Sequence, residues 1–334
     1  MSSLHRAQFV RSISALAAGA ALATPHRARA AAPTVLNIAF AYTVPTTLIV
    51  KEKGWLEEAL KPRGINVNWI LSLGSNKTLE FLRSRSADFG SAAASAGLLG
   101  RANGTPVKLL YFNLRGESTG LLTLINSPLK SIADLKGKKI AATRGTEPYI
   151  FTLRALQKAG ISENDVEIVP LQHPDGRAAL ESGRVDAWAG LDPDLSIVLV
   201  EKRARFLYRD QSLITGGALF GREEFINENP DLTQLVLLEF DRARKYIHEH
   251  PDETNALYAK ASDLDPAIAK AILARGDIDH PAIERADYER IAGAGPILKS
   301  SGAVPSDVDL VRTTRDLLAP SVYAKAAAAK ALPA

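Results

Sequence analysis

Val35-Leu36-Asn37-Ile38-Ala39-Phe40, Asn66-Val67-Asn68-Trp69-Ile70 and Ala87-Asp88-Phe89-Gly90 are three short runs of strand length, and the stretches between them decide the fold. Residues 46–60 read as a helix between the first two. Gly74-Ser75-Asn76 opens a second helix that runs through Phe81 and Leu82, with Ser75 or Asn76 as its N-cap. Residues 107–113 read as another strand. Strands separated by helices are joined by crossovers, and crossovers connect parallel strands. The sequence therefore predicts an α/β sheet.

Outward from this block the rhythm repeats. Residues 121–126, 139–142, 165–170 and 187–189 read as strands, and 131–135, 147–159, 177–182 and 192–202 as helices. Residues 205–208 and 218–221 add two strands. After Asn229-Pro230 the chain changes character. Residues 231–250, 251–261, 266–276, 287–300 and 307–318 read as helices, punctuated by Pro230, Pro251, Pro266, Pro305 and Pro320. There is an internal echo: Val185-Asp186-Ala187-Trp188 holds the same place in the second run as Ala87-Asp88-Phe89-Gly90 in the first. Two α/β lobes with appended C-terminal helices imply a cleft between them. Open α/β sheets take ligands at the carboxyl ends of strands, against helix N-termini.

Length and composition agree. At 334 residues the chain has room for about two ordinary domains, and 46% apolar residues suit a globular protein. It has no Cys, which excludes disulfides, Cys-ligated zinc or iron–sulfur sites, a thiol nucleophile and a lipid-modified N-terminal Cys. The net charge of +4 resides in Arg6, Arg11, Arg27 and Arg29; beyond residue 30 the chain is neutral. A neutral body with interspersed charges has no electrostatic footprint for nucleic acid.

Residues 1–30 read as a cleavable signal peptide. Arg6 and Arg11 form a positive n-region, residues 13–23 a short apolar run, and Ala28-Arg29-Ala30 a cleavage site. The run is too short to span a bilayer. Arg6-Ala7-Gln8-Phe9-Val10-Arg11 looks like a twin-arginine signal that lacks its second Arg, so the general secretory route is the expectation ahead of the twin-arginine one. The expected product is exported and soluble.

Several strings then become recognisable. Asn126-Ser127-Pro128-Leu129-Lys130-Ser131-Ile132-Ala133-Asp134-Leu135-Lys136-Gly137-Lys138-Lys139-Ile140-Ala141 resembles the "DLKGKKVA" stretch of periplasmic solute-binding proteins. Leu153-Arg154-Ala155-Leu156-Gln157-Lys158-Ala159-Gly160 and Gly183-Arg184-Val185-Asp186-Ala187-Trp188-Ala189-Gly190-Leu191-Asp192-Pro193 resemble the aliphatic-sulfonate-binding proteins of ABC importers, within the nitrate/sulfonate/taurine group. The resemblance covers most of residues 35–225. It implies a two-lobed, Venus-flytrap (type II) periplasmic-binding-protein fold, each lobe a mixed sheet flanked by helices. Residues 33–115 plus 215–334 would form lobe one and 116–214 lobe two, with hinges near Arg115 and Thr215. It further implies a monomeric periplasmic carrier that binds a small organosulfonate and hands it to an inner-membrane permease with its ATPase, without catalysis and without a cofactor.

The same resemblance implies a site on strand-to-helix loops, where backbone N–H groups and hydroxyls hold the anionic head. Four loops fall at matching positions: Tyr42-Thr43-Val44-Pro45-Thr46, Gly74-Ser75-Asn76, Ala92-Ala93-Ala94-Ser95 and Arg144-Gly145-Thr146-Glu147. Ser75, Asn76 and Thr146 are the expected donors, although each also suits a plain N-cap. Trp188 reads as core or as cleft wall, Asp192 as cleft or as N-cap, and Arg115 as hinge or as solvated surface. Where relatives carry a serine-rich loop after the Gly at 145, this chain has Thr146-Glu147-Pro148. Glu147 is expected to face solvent as a first-turn acid; the alternative is a partner for a cationic or hydrogen-donating part of the ligand. Ala92-Ala93-Ala94 leaves room for a bulkier tail.

Enzymes are the first rival class. There is no G-x-S-x-G elbow, no H-E-x-x-H and no phosphate-binding G-x-x-x-x-G-K-[ST]. His248 and His250 are two apart and do not share a helix face. Pyrimidine-synthesising enzymes of thiamine metabolism look like this fold, but their pattern includes cysteines. A binding protein for nitrate, bicarbonate or an aromatic carboxylate is the second rival, and a regulatory domain the third.

Overall fold

The alternation of apolar strands and helices resolves into two mixed sheets. The computed structural model describes residues 33–331, so the stretch read as a signal peptide lies outside the described residues. In chain order the first run holds β1 (Val35–Phe40), α1 (Pro45–Lys53), α2 (Trp55–Leu60), β2 (Asn66–Leu71), α3 (Ser75–Arg83), β3 (Phe89–Ala93), α4 (Ala94–Ala102) and β4 (Val107–Gly116). The second holds β5 (Thr119–Leu124), β6 (Lys139–Ala141), α5 (Glu147–Lys158), β7 (Glu167–Val169), α6 (His173–Glu181), β8 (Ala187–Leu191), α7 (Asp194–Val200) and β9 (Ala204–Tyr208). The chain then continues through β10 (Gly217–Arg222), α8 (Glu223–Glu228), α9 (Pro230–Glu249), α10 (Pro251–Ser262), α11 (Pro266–Arg275), β11 (Gly276–Asp277), α12 (Arg285–Ala292), α13 (Gly295–Ser300), α14 (Leu310–Leu317) and α15 (Pro320–Ala331).

The first sheet has the order β11-β4-β10-β3-β1-β2 and the second β7-β6-β8-β5-β9. Each carries three parallel strands, β2-β1-β3 and β7-β6-β8, followed by a strand that runs against them. That antiparallel strand is the first one after each crossing between the sheets: β5 after β4, and β10 after β9. The second sheet thus repeats the arrangement of the first, and β3 and β8 hold equivalent places.

The echo between 87–90 and 185–188 has a physical basis there. The Asp88 amide donates to the Asn37 carbonyl at 2.8 Å, and its carboxylate accepts from the Asn37 amide at 2.9 Å. Asp186 does the same to Lys139, at 2.9 Å in both directions. In each lobe an aspartate just before the strand clips the neighbouring parallel strand.

Burial follows strand position. Ile38, Ala39, Phe89, Ile140 and Ala187 in the sheet interiors are fully buried, whereas the edge strand β2 alternates, as its sequence does. Helix α9 lays Val236, Leu237 and Phe240 into one core with Leu36, Leu110 and Tyr111. Each such side chain contributes about 1.5–3 kcal/mol by leaving water. Two sequence expectations shift and one strand is new. The helix read over 46–60 is two, because Gly54 adopts φ 65° and ends α1 in a left-handed cap. The helix read over 287–300 breaks between Ala292 and Gly295. Strand β11, two residues paired to Arg115 and Gly116, has no signal of its own.

Candidate ligand-binding site

A cavity of about 50 Å³ lies between the two sheets. The first lobe supplies Ala41, Thr43 and Val44 after β1, Gly74 and Ser75 after β2, Ser91 to Ala93 of β3, Leu114 of β4, and Gly216 and Gly217 at the start of β10. The second supplies Ser118, Glu147, Pro148 and Leu191. Four helices begin at this wall: α1, α3, α4 and α5; the first amides of α4 are taken by the Gly216 carbonyl and Thr215 Oγ1, which leaves α1, α3 and α5. None has a side chain capping its first turn. Unpaired N–H groups and the positive end of the dipole therefore face the cavity from several directions. Pro45 and Pro148 in the first turns supply no N–H and stiffen the entries.

The hydroxyls are set by neighbours. Ser75 Oγ accepts from the Ala93 amide at 2.9 Å, which leaves its O–H to donate. Ser91 Oγ accepts from Asn113 Nδ2 at 2.7 Å and lies 3.3 Å from Thr47 Oγ1. The remaining wall is apolar: Ala41, Val44, Ala92, Ala93, Leu114, Pro148 and Leu191. The wall has no Lys, Arg or His, and its single ionisable side chain is Glu147.

Glu147 corrects the expectation of a solvent-facing acid: it is 3% exposed. From lobe two its Oε1 accepts from Ser95 Oγ at 3.2 Å, and its Oε2 accepts from Thr215 Oγ1. Burial pushes its carboxyl up to about 7, against the opposing pull of the Thr215 and Ser95 hydrogen bonds.

Of the other sequence-predicted residues, Thr43 and Ser75 line the cavity and Gly145 does not. Tyr42 packs edge-on to Phe40, and its carbonyl accepts from the Tyr258 hydroxyl. Thr46 is fully buried, with no partner for Oγ1 among the described residues. Asn76 turns to the seam between lobes: its Cβ is 3.4 Å from where a side chain on Gly145 would begin. Ala94 and Ser95 lie one layer behind the wall, which Ala92 and Ala93 form instead. Thr146 does not face the cavity, because its hydroxyl turns back to the Thr143 carbonyl at 2.6 Å.

Three expectations fall away from the cleft. Trp188 is 1% exposed and sits in the lobe-two core against Gly176. Arg115 pairs with Asp287, donates to the His280 carbonyl at 2.7 Å and covers the Phe112 ring. Asp192 accepts from Arg275 Nη2 at 2.6 and 2.7 Å and from the Ser196 amide at 3.1 Å. It is an ion pair between lobes, not part of the cavity wall. Sequence reading missed Ser91, Ser118, Leu114, Leu191 and Gly216; a serine within the buried run Phe89-Gly90-Ser91-Ala92 was the available signal for the first.

His173 borders this region on lobe two. Thr143 donates to the Leu171 carbonyl at 2.7 Å, so its oxygen accepts the Nδ1 proton of His173 at 3.3 Å. Burial lowers His173 to about 4, and the ring is neutral.

The family described as NMT1/THI5 like matches residues 45–254. A protein of Bacillus subtilis (strain 168), named "Putative aliphatic sulfonates-binding protein", is 33% identical over 241 residues, 71% of this chain and 73% of its own. The alkanesulfonate-binding protein SsuA from Xanthomonas axonopodis pv. citri, solved bound to MOPS, matches with a TM-score of 0.78 at 25% identity, over 85% of this chain and 99% of that one. The periplasmic aliphatic sulphonate binding protein SsuA from Escherichia coli matches with a TM-score of 0.72 at 26% identity, over 84% and 92%. The chain belongs to the NMT1/THI5-like family, within its group of aliphatic-sulfonate-binding, substrate-binding proteins of ABC importers.

Proposed function

We propose that this protein captures a small organosulfonate between its lobes and delivers it to an inner-membrane permease driven by an ATPase. The observation that carries the reading is the cavity itself. Uncapped N-termini of α1, α3 and α5 and the Ser75, Ser91, Ser118 and Thr43 hydroxyls meet in a wall that is apolar elsewhere except for Glu147 and has no basic side chain. Neutral oriented donors suit a weakly hydrated monoanion, and the alanine and leucine wall suits its alkyl part. The names of the relatives point the same way. We further propose that residues 1–30 direct export to the periplasm and are removed. Among the described residues no helix is long and apolar enough to cross a membrane, in keeping with that reading. The crossings at 116–118 and 209–216 would be the hinges, and no catalysis is ascribed to the cleft.

A second reading, a compact anion such as nitrate or bicarbonate, draws on the small size of the cavity as closed here. A thermal-shift series separates the two. Selective binding to the native state raises the melting temperature. Alkanesulfonates should raise it and nitrate, bicarbonate and matched carboxylates should not; the reverse pattern rejects the sulfonate reading.

A further inference from the structure

The cleft is built for an anion, yet its wall holds an acid and no base. Thr215 Oγ1 accepts the Ser95 amide N–H at 2.9 Å, so its own O–H donates to Glu147 Oε2, which stays unprotonated. Glu147 Oε1 lies 3.2 Å from Ser95 Oγ. That distance serves a hydroxyl donating to a carboxylate and equally a protonated carboxyl donating to the hydroxyl. The bridge between lobes therefore survives in both protonation states, and the neighbouring charge decides between them.

Most charged groups around α5 are otherwise engaged, and Arg144, just before the helix, lies over the Tyr149 ring at 5.5 Å. Arg154, on the same helix, is the charged residue that acts on Glu147; it donates to the Leu213 carbonyl at 2.8 Å and has Asp210 and Arg290 beside it. Glu163 turns to Tyr149, Lys299 to the Ser306 carbonyl and Asp192 to Arg275. His173, beside Gly74, is buried and neutral. Helix N-termini carry only partial charge. Nothing in the wall offsets a carboxylate and a bound anion together.

We infer that Glu147 is the charge-selecting residue of the cleft: a monoanion binds together with one proton, taken from solvent onto Oε1, and a dianion is rejected. One proton offsets one charge, and a dianion leaves a second uncompensated in a poorly solvated site. Burial already holds the Glu147 carboxyl near neutrality before ligand arrives. The inference rests on the anion-binding reading above.

Calorimetry of residues 31–334 with ethanesulfonate, taurine, nitrate and sulfate tests it. Titrations run from pH 6 to 8.5, in two buffers of different ionisation enthalpy. At pH 8 the wild type should take up about one proton per ethanesulfonate, and Kd should rise about tenfold from pH 7.5 to 8.5, as the competent fraction falls. Sulfate should bind weakly. Glu147→Gln keeps both bridge contacts and should bind ethanesulfonate at pH 8 with the affinity the wild type has at pH 6, without proton uptake. A flat wild-type Kd without proton uptake overturns the inference whatever the variant does. So does taurine binding that tightens as pH rises, which makes Glu147 the ammonium's partner. Nitrate binding with proton uptake while ethanesulfonate fails sustains the inference and rejects the sulfonate reading. Failure of every anion at every pH rejects both.

Discussion

Glu147 concentrates the chemistry of the site in one carboxyl. In the unfolded chain it titrates near 4.5; folded, burial holds it up at about 7. Between those values the native state binds the extra proton, so its contribution is fully present below pH 4.5 and lost as pH rises through 7. The shift corresponds to about 3 kcal/mol as an order of magnitude. Glu147→Gln has no such proton to lose. Denaturant unfolding at pH 5 and pH 8 should therefore show the variant gaining on the wild type by a few kcal/mol at the higher pH; parallel curves would contradict the burial. None of this was legible locally. A glutamate before a proline in a first helical turn reads as a solvated acid, and its partners Ser95 and Thr215 lie 52 and 68 residues away. Thr146 failed for the opposite reason. Its hydroxyl closes a turn to Thr143, three residues back, and so never reaches the ligand space.

At the scale of elements, the aspartate that precedes β3 and β8 offers a matched comparison. Both clip the neighbouring strand, but Asp88 is 4% exposed and also holds Arg222 at 2.8 Å, whereas Asp186 is half-buried and has only the more distant Lys138, at 3.9 Å. Asp88→Ala leaves the mostly buried Arg222 guanidinium with only the more exposed Glu224, at 3.2 Å, and should cost about 3 kcal/mol. Asp186→Ala, whose partners keep access to water, should cost about 1 kcal/mol. Equal costs in chemical denaturation would show that the clip, not the ion pair, dominates. Helix α6 gives a second test. A methyl on Gly176 would meet Trp188 Nε1 at 2.7 Å. Gly176→Ala should destabilise by about 1–3 kcal/mol, read as a lower melting temperature, with ligand affinity unchanged because Trp188 is core rather than cleft. The strand–helix alternation, the echo and the C-terminal helices with Pro230, Pro251 and Pro266 at their starts were legible, since they depend on local period and backbone chemistry. Strand β11 was not, because two residues owe their pairing entirely to β4.

Across the whole molecule, two polar bridges between the lobes stand out among the described residues. One is Glu147 with Ser95 and Thr215; the other is Asp192 and Ser196 with Arg275. Arg275→Ala removes a charge that Asp192 faces in a mostly buried setting and should favour the open arrangement. Small-angle scattering of the variant should show a larger radius of gyration, and ligand affinity should fall about tenfold, which corresponds to about 1.4 kcal/mol. Unchanged scattering and affinity would make the bridge incidental. The sequence pointed to a cleft and to three of its lining positions, Thr43, Ser75 and Glu147, because loops that open helices are visible along the chain. It could not say which residues from distant strands close the space, so Ser91, Leu114 and Leu191 emerged only with the fold. Whether neutral donors between these lobes hold an organosulfonate is decided by isothermal titration of residues 31–334 at pH 6 with ethanesulfonate, against nitrate, bicarbonate and propionate. The sulfonate should bind saturably and one to one, and the rest markedly more weakly; binding of nitrate, bicarbonate or propionate with no response to the sulfonate rules the organosulfonate out.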